Sequence, residues 1–194
     1  MDEDVFVNET RKANSSDIGR LVEASQAGDR GVFDELVRLY QRRAMRVAVR
    51  MLSDANDAAE AVQNAFVKAY LGIDKLRKPE RFEVWLLRIV TNAAISQRRA
   101  ARRRAERIKV ADGYEDKKAV SLVDQAVGAE LKQAIQAAML NLSKKEAKAI
   151  SLFGLKDLSQ REAAEIMGCS AAAVGWYVFE GRRKLKVLLK EYLG

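Results

Sequence analysis

The side chains best equipped for chemistry in this chain are cations, and the chemistry they suit is the holding of phosphate. Arg98, Arg99, Arg102, Arg103, Arg104, Arg107 and Lys109 are opposed over that stretch by Glu106 alone. Spacings of three and four residues bring several of them onto one helical face, where like charges repel by about a few tenths of a kcal/mol per pair. Such a helix is destabilised until an anion neutralises it. A phosphate backbone would do so with a salt-dependent affinity; the plainer alternative is a solvated basic helix end. Covalent chemistry is poorly supplied. The chain has no histidine, one cysteine, Cys169, and no clustered carboxylates, so general acid–base work, metal ligation and a nuclease-like reaction lack their usual groups. No catalytic residue, metal or cofactor is expected, and Cys169 reads as a small packed residue.

A second stretch, Leu158–Leu189, carries recognition rather than reaction. Ser159 and Glu162 form a capping box, and Ala163, Ile166 and Met167 make one apolar side. Gly168 suits a left-handed stop. Ser170 then caps a second helix in which Val174, Val178, Leu185 and Leu188 or Leu189 recur at helical spacing. Small Ala164, the glycine four residues on and the valine six further reproduce helix-turn-helix spacing, in which the second helix enters the DNA major groove. An ordinary helical hairpin has the same pattern without the DNA.

The elements that must position these groups are helices. The 194 residues include one proline and are 48% hydrophobic, a length and composition for one large or two small helical domains with real cores. Asp17 opens a helix closed by Gly28. Asp29 caps a long one with Val32, Phe33, Leu36, Val37, Tyr40, Ala44, Val47, Ala48 and Met51 inward and Arg38, Arg42, Arg43, Arg46 and Arg50 outward. After the capping run 53–57 comes a third, with Ala58, Ala61, Val62, Ala65, Phe66, Ala69 and Tyr70 inward, ended by Gly72. Residues 73–81 read as a polar loop, and Phe82, Trp85, Leu86, Ile89, Val90 and Ala93 begin a fourth helix that runs into the arginines. Beyond a linker, Leu131, Ile135, Ala138, Met139 and Leu142 mark a further helix, and Ser143 with Glu146 a second capping box. No internal repeat is evident.

Charge sorts along the same boundaries. Residues 1–17 carry a net −3, 18–109 +9, 110–127 −2 and 128–194 +4, within a total of +8. The organisation expected is a polar tail (1–16), a first helical domain (17–109), a flexible linker (110–127) and a second helical domain (128–194). No apolar signal core or membrane-length run is present, so no membrane insertion and a cytoplasmic, nucleoid-associated protein are expected.

Three stretches, NDAAEAVQNAFVKAY at 56–70, FEVWLLRIVTNAAISQRR at 82–99 and LSQREAAEIMGCSAAAVGWYVFEGRRKL at 158–185, with their order and the acidic linker between them, resemble bacterial sigma factors of the extracytoplasmic-function type. The resemblance spans about residues 17–192. It implies an all-α protein of two small domains, sigma-two-like and sigma-four-like, which binds core RNA polymerase and promoter DNA and melts the minus-ten element without covalent chemistry.

Residue by residue, the resemblance implies that Asp57, Glu60, Gln63, Asn64 and Lys68 meet the clamp helices of the polymerase large subunit. Asn64 stands where an acid is common in the family. Lys75, Arg77, Lys78 and Arg81 on the 73–81 loop, with Trp85, Arg88, Asn92, Arg98 and Arg99, fall to the minus-ten element, where capture of a flipped base must recover about a few kcal/mol of lost stacking. Ser96 replaces a frequent aspartate. Arg161, Ser170, Ala172, Ala173, Gly175, Trp176, Tyr177, Arg182 and Arg183 fall to the minus-thirty-five element. Here the chain departs from the pattern: Gly175 and Trp176 follow Val174 where arginines are usual, and Glu180 stands in place of another. An anti-sigma partner is expected from the resemblance, from the linker and from Trp176 and Phe179. The alternative function is a stand-alone helix-turn-helix regulator, which has no need of the polar-faced helix at 56–70.

Overall fold

The structure, a computed structural model, describes residues 15–52, 54–112, 130–131, 134–135, 137–154 and 158–193. Every regular element among them is helical: α1 (Ser15–Gln26), α2 (Arg30–Met51), α3 (Ala55–Gly72), short 3-10 turns at Ile73–Lys75 and Pro79–Arg81, α4 (Phe82–Asp112), α5 (Lys144–Phe153), α6 (Gln160–Met167), α7 (Ala171–Leu188) and α8 (Lys190–Leu193). Most of the expected tail and most of the expected linker lie outside the described residues; Ser15 and Ser16, expected in the tail, are in α1.

Local chemistry sets the boundaries. Asp29 accepts from the Gly31 and Val32 N–H groups, and Asp54 from those of Asn56 and Asp57, so each closes orphan donors at a helix start. Both capping boxes form, at Ser143/Glu146 and Ser159/Glu162. Gly168 ends α6 at φ 65°, ψ 43°, a left-handed geometry that a side chain would strain.

The first four helices enclose a core of Val22, Leu36, Val47, Phe82, Leu86 and Val90, each fully buried. Leu152, Ile166 and Val174 are equally buried in the second part, and the two sets join in one apolar cluster. The helical and two-part architecture is as expected.

Several details differ. α1 begins two residues before Asp17, which therefore lies in its first turn, facing the positive helix end, rather than at the cap. α4 continues to Asp112, past the expected end of the first domain. Tyr70 is 39% exposed because its ring stands edge-on against Phe33 instead of entering the core. Leu131 and Ile135 are also exposed in part, while Ala138 and Leu142 are buried. Of the two C-terminal leucines Leu189 turns inward and Leu188 outward. Arg43 is drawn in from the basic face of α2 by Glu83, at 2.5 Å.

Candidate nucleic-acid and polymerase interface

The 73–81 segment is an anchored turn rather than a simple polar loop. Ile73 and Leu76 are buried, and both their carbonyls accept from Gln26 Nε2 at 2.8 and 3.0 Å. Pro79 packs against Gly19. With its backbone held from α1, the segment presents Lys75, Arg77, Lys78 and Arg81 outward, all exposed. Gln26 was not legible as a site residue, because a glutamine inside a helical pattern looks like any solvated position.

On α4, Phe82 and Leu86 are core residues, and Leu87, 1% exposed, joins them. Trp85 is half-buried, tilted against Phe82 at 6.0 Å and lying over Gly72. Arg88, Asn92 and Arg99 are exposed and Arg98 partly so, which places the polar residues expected at the minus-ten element along one helix beside the cationic turn. Arg99 also shares a cleft of about 550 Å³ with Lys144 and Lys145. The side chains of Arg102, Arg104, Arg107 and Lys109 lie outside those described. Ser96 spends its hydroxyl on the Asn92 carbonyl at 3.1 Å, a contact within its own helix.

The outer face of α3 exposes Glu60, Gln63, Asn64 and Lys68, with Asp57 half-buried. Gln97 of α4 donates to Asp57 Oδ1 at 3.2 Å and to Glu60 Oε2 at 2.8 Å, so these two carboxylates are oriented by their own chain. Beside Gln63 lies an apolar groove of about 580 Å³ between α2 and α3, with Phe33, Val37, Phe66, Val67, Tyr70 and Leu71 in its lining. Val67 is 53% and Leu71 73% exposed. Helical periodicity left those two without a role, and an exposed apolar patch of this kind marks a partner surface.

In the helix-turn-helix, Ser170 caps α7 by accepting from the Ala173 N–H at 3.2 Å. Arg161, Ala172, Trp176, Arg182 and Arg183 are exposed, and Ala173, Gly175 and Tyr177 half-buried. Tyr177 meets Trp176 edge-on at 5.2 Å and carries Lys145 over its ring at 5.5 Å. Arg182 stacks over Phe153 at 5.0 Å. Arg183 is held by Glu180 through two contacts, at 3.1 and 2.5 Å, which pulls that carboxyl below the ordinary glutamate range. Gln160, unremarked in the sequence, donates to the Ala171 carbonyl at 2.7 Å and lies where a Cβ on Gly175 would come within 2.9 Å. A long side chain after Val174 would therefore displace the residue that bridges the two helices.

Two charges are buried in the second part. Burial pushes the Glu146 carboxyl upward, but hydrogen bonds from Lys184 Nζ (2.7 Å) and the Ser143 N–H (2.8 Å) outweigh it, and the group titrates below the usual range. Lys148 is pulled down by burial and by the nearby Arg88 guanidinium. Among the described residues no group of side chains could hold a metal ion, and no helix is long and apolar enough to cross a membrane.

An all-helical chain with a helix-turn-helix at one end and an exposed cationic, aromatic helix near its middle has the form of a two-part DNA-binding transcription protein. Comparison with known proteins makes that class specific. Residues 36–104 match the sigma-70 region 2 family model and residues 132–185 the sigma-70 region 4 model. The chain is 32% identical to the ECF RNA polymerase sigma-E factor of Haemophilus influenzae over 86% of its length and 92% of the relative's. It is 30% identical to the RNA polymerase sigma-H factor of Pseudomonas aeruginosa over 90% and 94%. Among solved structures it resembles CnrH in complex with the cytosolic domain of CnrY, with a TM-score of 0.62 at 25% identity over 90% of this chain and 97% of that one. It also resembles the sigma factor RpoE bound to the anti-sigma factor NepR from Bartonella quintana, with a TM-score of 0.56 at 25% identity over 81% and 96%. The chain belongs to the extracytoplasmic-function sigma factors of bacterial RNA polymerase, and is an alternative sigma factor.

Proposed function

We propose that residues 17–109 dock on core RNA polymerase and take the minus-ten strand, and that residues 128–194 hold the minus-thirty-five duplex. The protein then acts entirely by binding, in the cytoplasm at the nucleoid. The observation that carries this reading is the groove between α2 and α3. An apolar cleft with Leu71 and Val67 exposed on its rim, flanked by Gln63, Asn64 and Lys68, fits an amphipathic helix of a protein partner, here the polymerase clamp helices. A stand-alone repressor would leave that surface without an occupant.

Opening the minus-ten element falls to the cationic turn, Trp85, Arg88, Asn92, Arg98 and Arg99. Backbone cations recover the strand's charge, and a half-buried tryptophan offers a stacking face. At the minus-thirty-five element the reading helix has few cations to spare, since Glu180 engages Arg183. Apolar contact from Ala172 and Trp176 to thymine methyls, together with the N-terminal amides of α7, then takes a larger share. An anti-sigma partner is part of the same reading. It is supported by the similar structure of the sigma factor RpoE bound to the anti-sigma factor NepR and by exposed Trp176 and Phe179, 58% and 67%.

Retention of core polymerase by the purified chain, followed by run-off transcription with sequencing of the 5′ ends, tests this directly. Retention should be lost in Leu71→Glu while duplex binding persists. Absence of retention by the unaltered chain at low salt would sink the reading of this groove as the polymerase-docking surface.

A further inference from the structure

Four of the side chains assigned above to the minus-ten strand are already engaged by the chain's own C-terminal part. Arg98 donates to the carbonyls of Met139 and Leu142 at 3.1 and 3.4 Å. Asn92 Oδ1 accepts from Lys148 Nζ at 3.0 Å. Arg81 is ion-paired with Glu165, and Arg88 Nη2 lies so close over Gly168 that a Cβ there would stand 2.6 Å from it. The partners come from residues 139–142 ahead of α5, from α5 itself and from the first helix and turn of the helix-turn-helix. A guanidinium whose N–H groups point at those carbonyls cannot also run along a phosphate backbone. The second helix of the motif, by contrast, keeps Ala172, Trp176 and Arg182 in solvent.

The seam is also poorly compensated. Lys148 is 9% exposed, its hydrogen bond goes to a neutral amide, and a like charge, Arg88, is its charged neighbour. A buried cation without a counter-ion opposes the packing that buries it. The Arg81–Glu165 pair is 46% and 34% exposed at its two side chains, so water and salt weaken it.

We propose that the C-terminal part is an intramolecular competitor of the minus-ten strand. In the closed chain it withholds Arg81, Arg88, Asn92 and Arg98 from single-stranded DNA and leaves the helix-turn-helix open to duplex, and the ill-matched Lys148 keeps the closure reversible. This rests on the reading of α4 as the promoter-strand surface.

Two substitutions on the C-terminal side probe the latch without touching the strand-binding residues. Glu165→Gln frees Arg81, and Lys148→Met removes the buried charge. Glu191→Gln and Lys190→Met on α8 make the same charge changes away from the seam. In full-length protein, binding of a fluorescent twelve-nucleotide oligothymidylate is read by anisotropy and the radius of gyration by small-angle scattering. Apparent affinity scales with the fraction of open chain. Glu165→Gln should therefore bind about threefold more tightly than Glu191→Gln and scatter with a larger radius. Lys148→Met should bind about threefold more weakly than Lys190→Met with no increase in radius. Each seam variant matching its α8 control in both measurements would overturn the latch. A radius that shifts as stated, with no oligonucleotide bound by any protein, would count against the strand-binding reading and not against the closure.

Discussion

Two glycines on α7 stand in different surroundings and should respond differently to the same substitution. A Cβ on Gly175 meets only the far end of Gln160, at 2.9 Å, and the displaced amide can turn into water. A Cβ on Gly181, which is buried, comes within 2.9 Å of Ile150 Cγ1 and 3.5 Å of Glu146 Cβ, where α5 leaves no room to move. Replacing a helical glycine by alanine contributes about 0.5–1 kcal/mol in propensity, and losing one exposed hydrogen bond costs a similar amount. Gly175→Ala should leave urea stability within about 0.5 kcal/mol of the parent. Gly181→Ala should lose about 1–3 kcal/mol through overpacking. Equal midpoints for the two variants would show that α7 does not sit on α5 as described. The sequence marked Gly175 as a minus-thirty-five position and a departure from a family habit, not as a neighbour of Gln160. That Gly181 is a packing residue depends on which face of α7 meets Ile150, and periodicity of Val174 and Val178 alone does not fix it.

At the scale of elements, the ends of helices were the most legible features, because a cap is decided by a few consecutive residues: both capping boxes and the Asp29 and Asp54 caps follow from local chemistry. What was hidden depends on partners distant in sequence. Glu146 was legible as a capping residue but not as the buried partner of Lys184, which joins α5 to α7. Its carboxyl titrates lower in the folded protein than in the unfolded chain. The stabilisation is therefore complete above the ordinary glutamate range, near about 4.3, and is lost as pH falls through the depressed folded value. Glu146→Gln should cost about 1–3 kcal/mol at neutral pH and flatten the acid limb of a melting-temperature profile taken from pH 7 to pH 3. A parallel profile for parent and variant would show that the loss lies elsewhere. The anchored turn makes a similar case. Gln26→Ala removes the side-chain donor from both carbonyls, Ile73 keeping only the Leu76 N–H, at about 1 kcal/mol for each lost bond, and hydrogen exchange of the 73–81 amides should quicken while those of α2 hold.

Over the whole molecule, the sequence showed two basic blocks and an acidic stretch between them, and that charge map is sound as far as it goes. It could not show that Arg81, Asn92 and Arg98 reach across to the second block, since each partner lies 41 to 84 residues away and neither block's pattern is altered by the contact. Arg99 is different. It is exposed, and it faces the cleft with Lys144 and Lys145. Single-stranded DNA releases about 0.7 counterion per neutralised phosphate. Arg99→Ala should therefore weaken binding of the oligothymidylate and lower the slope of log affinity against log salt by about 0.7. Lys190→Ala, with the same loss of charge on α8, should leave the slope where it was. If instead both variants shift affinity equally and neither changes the slope, Arg99 acts through the net field of a +8 chain and not through contact with phosphate.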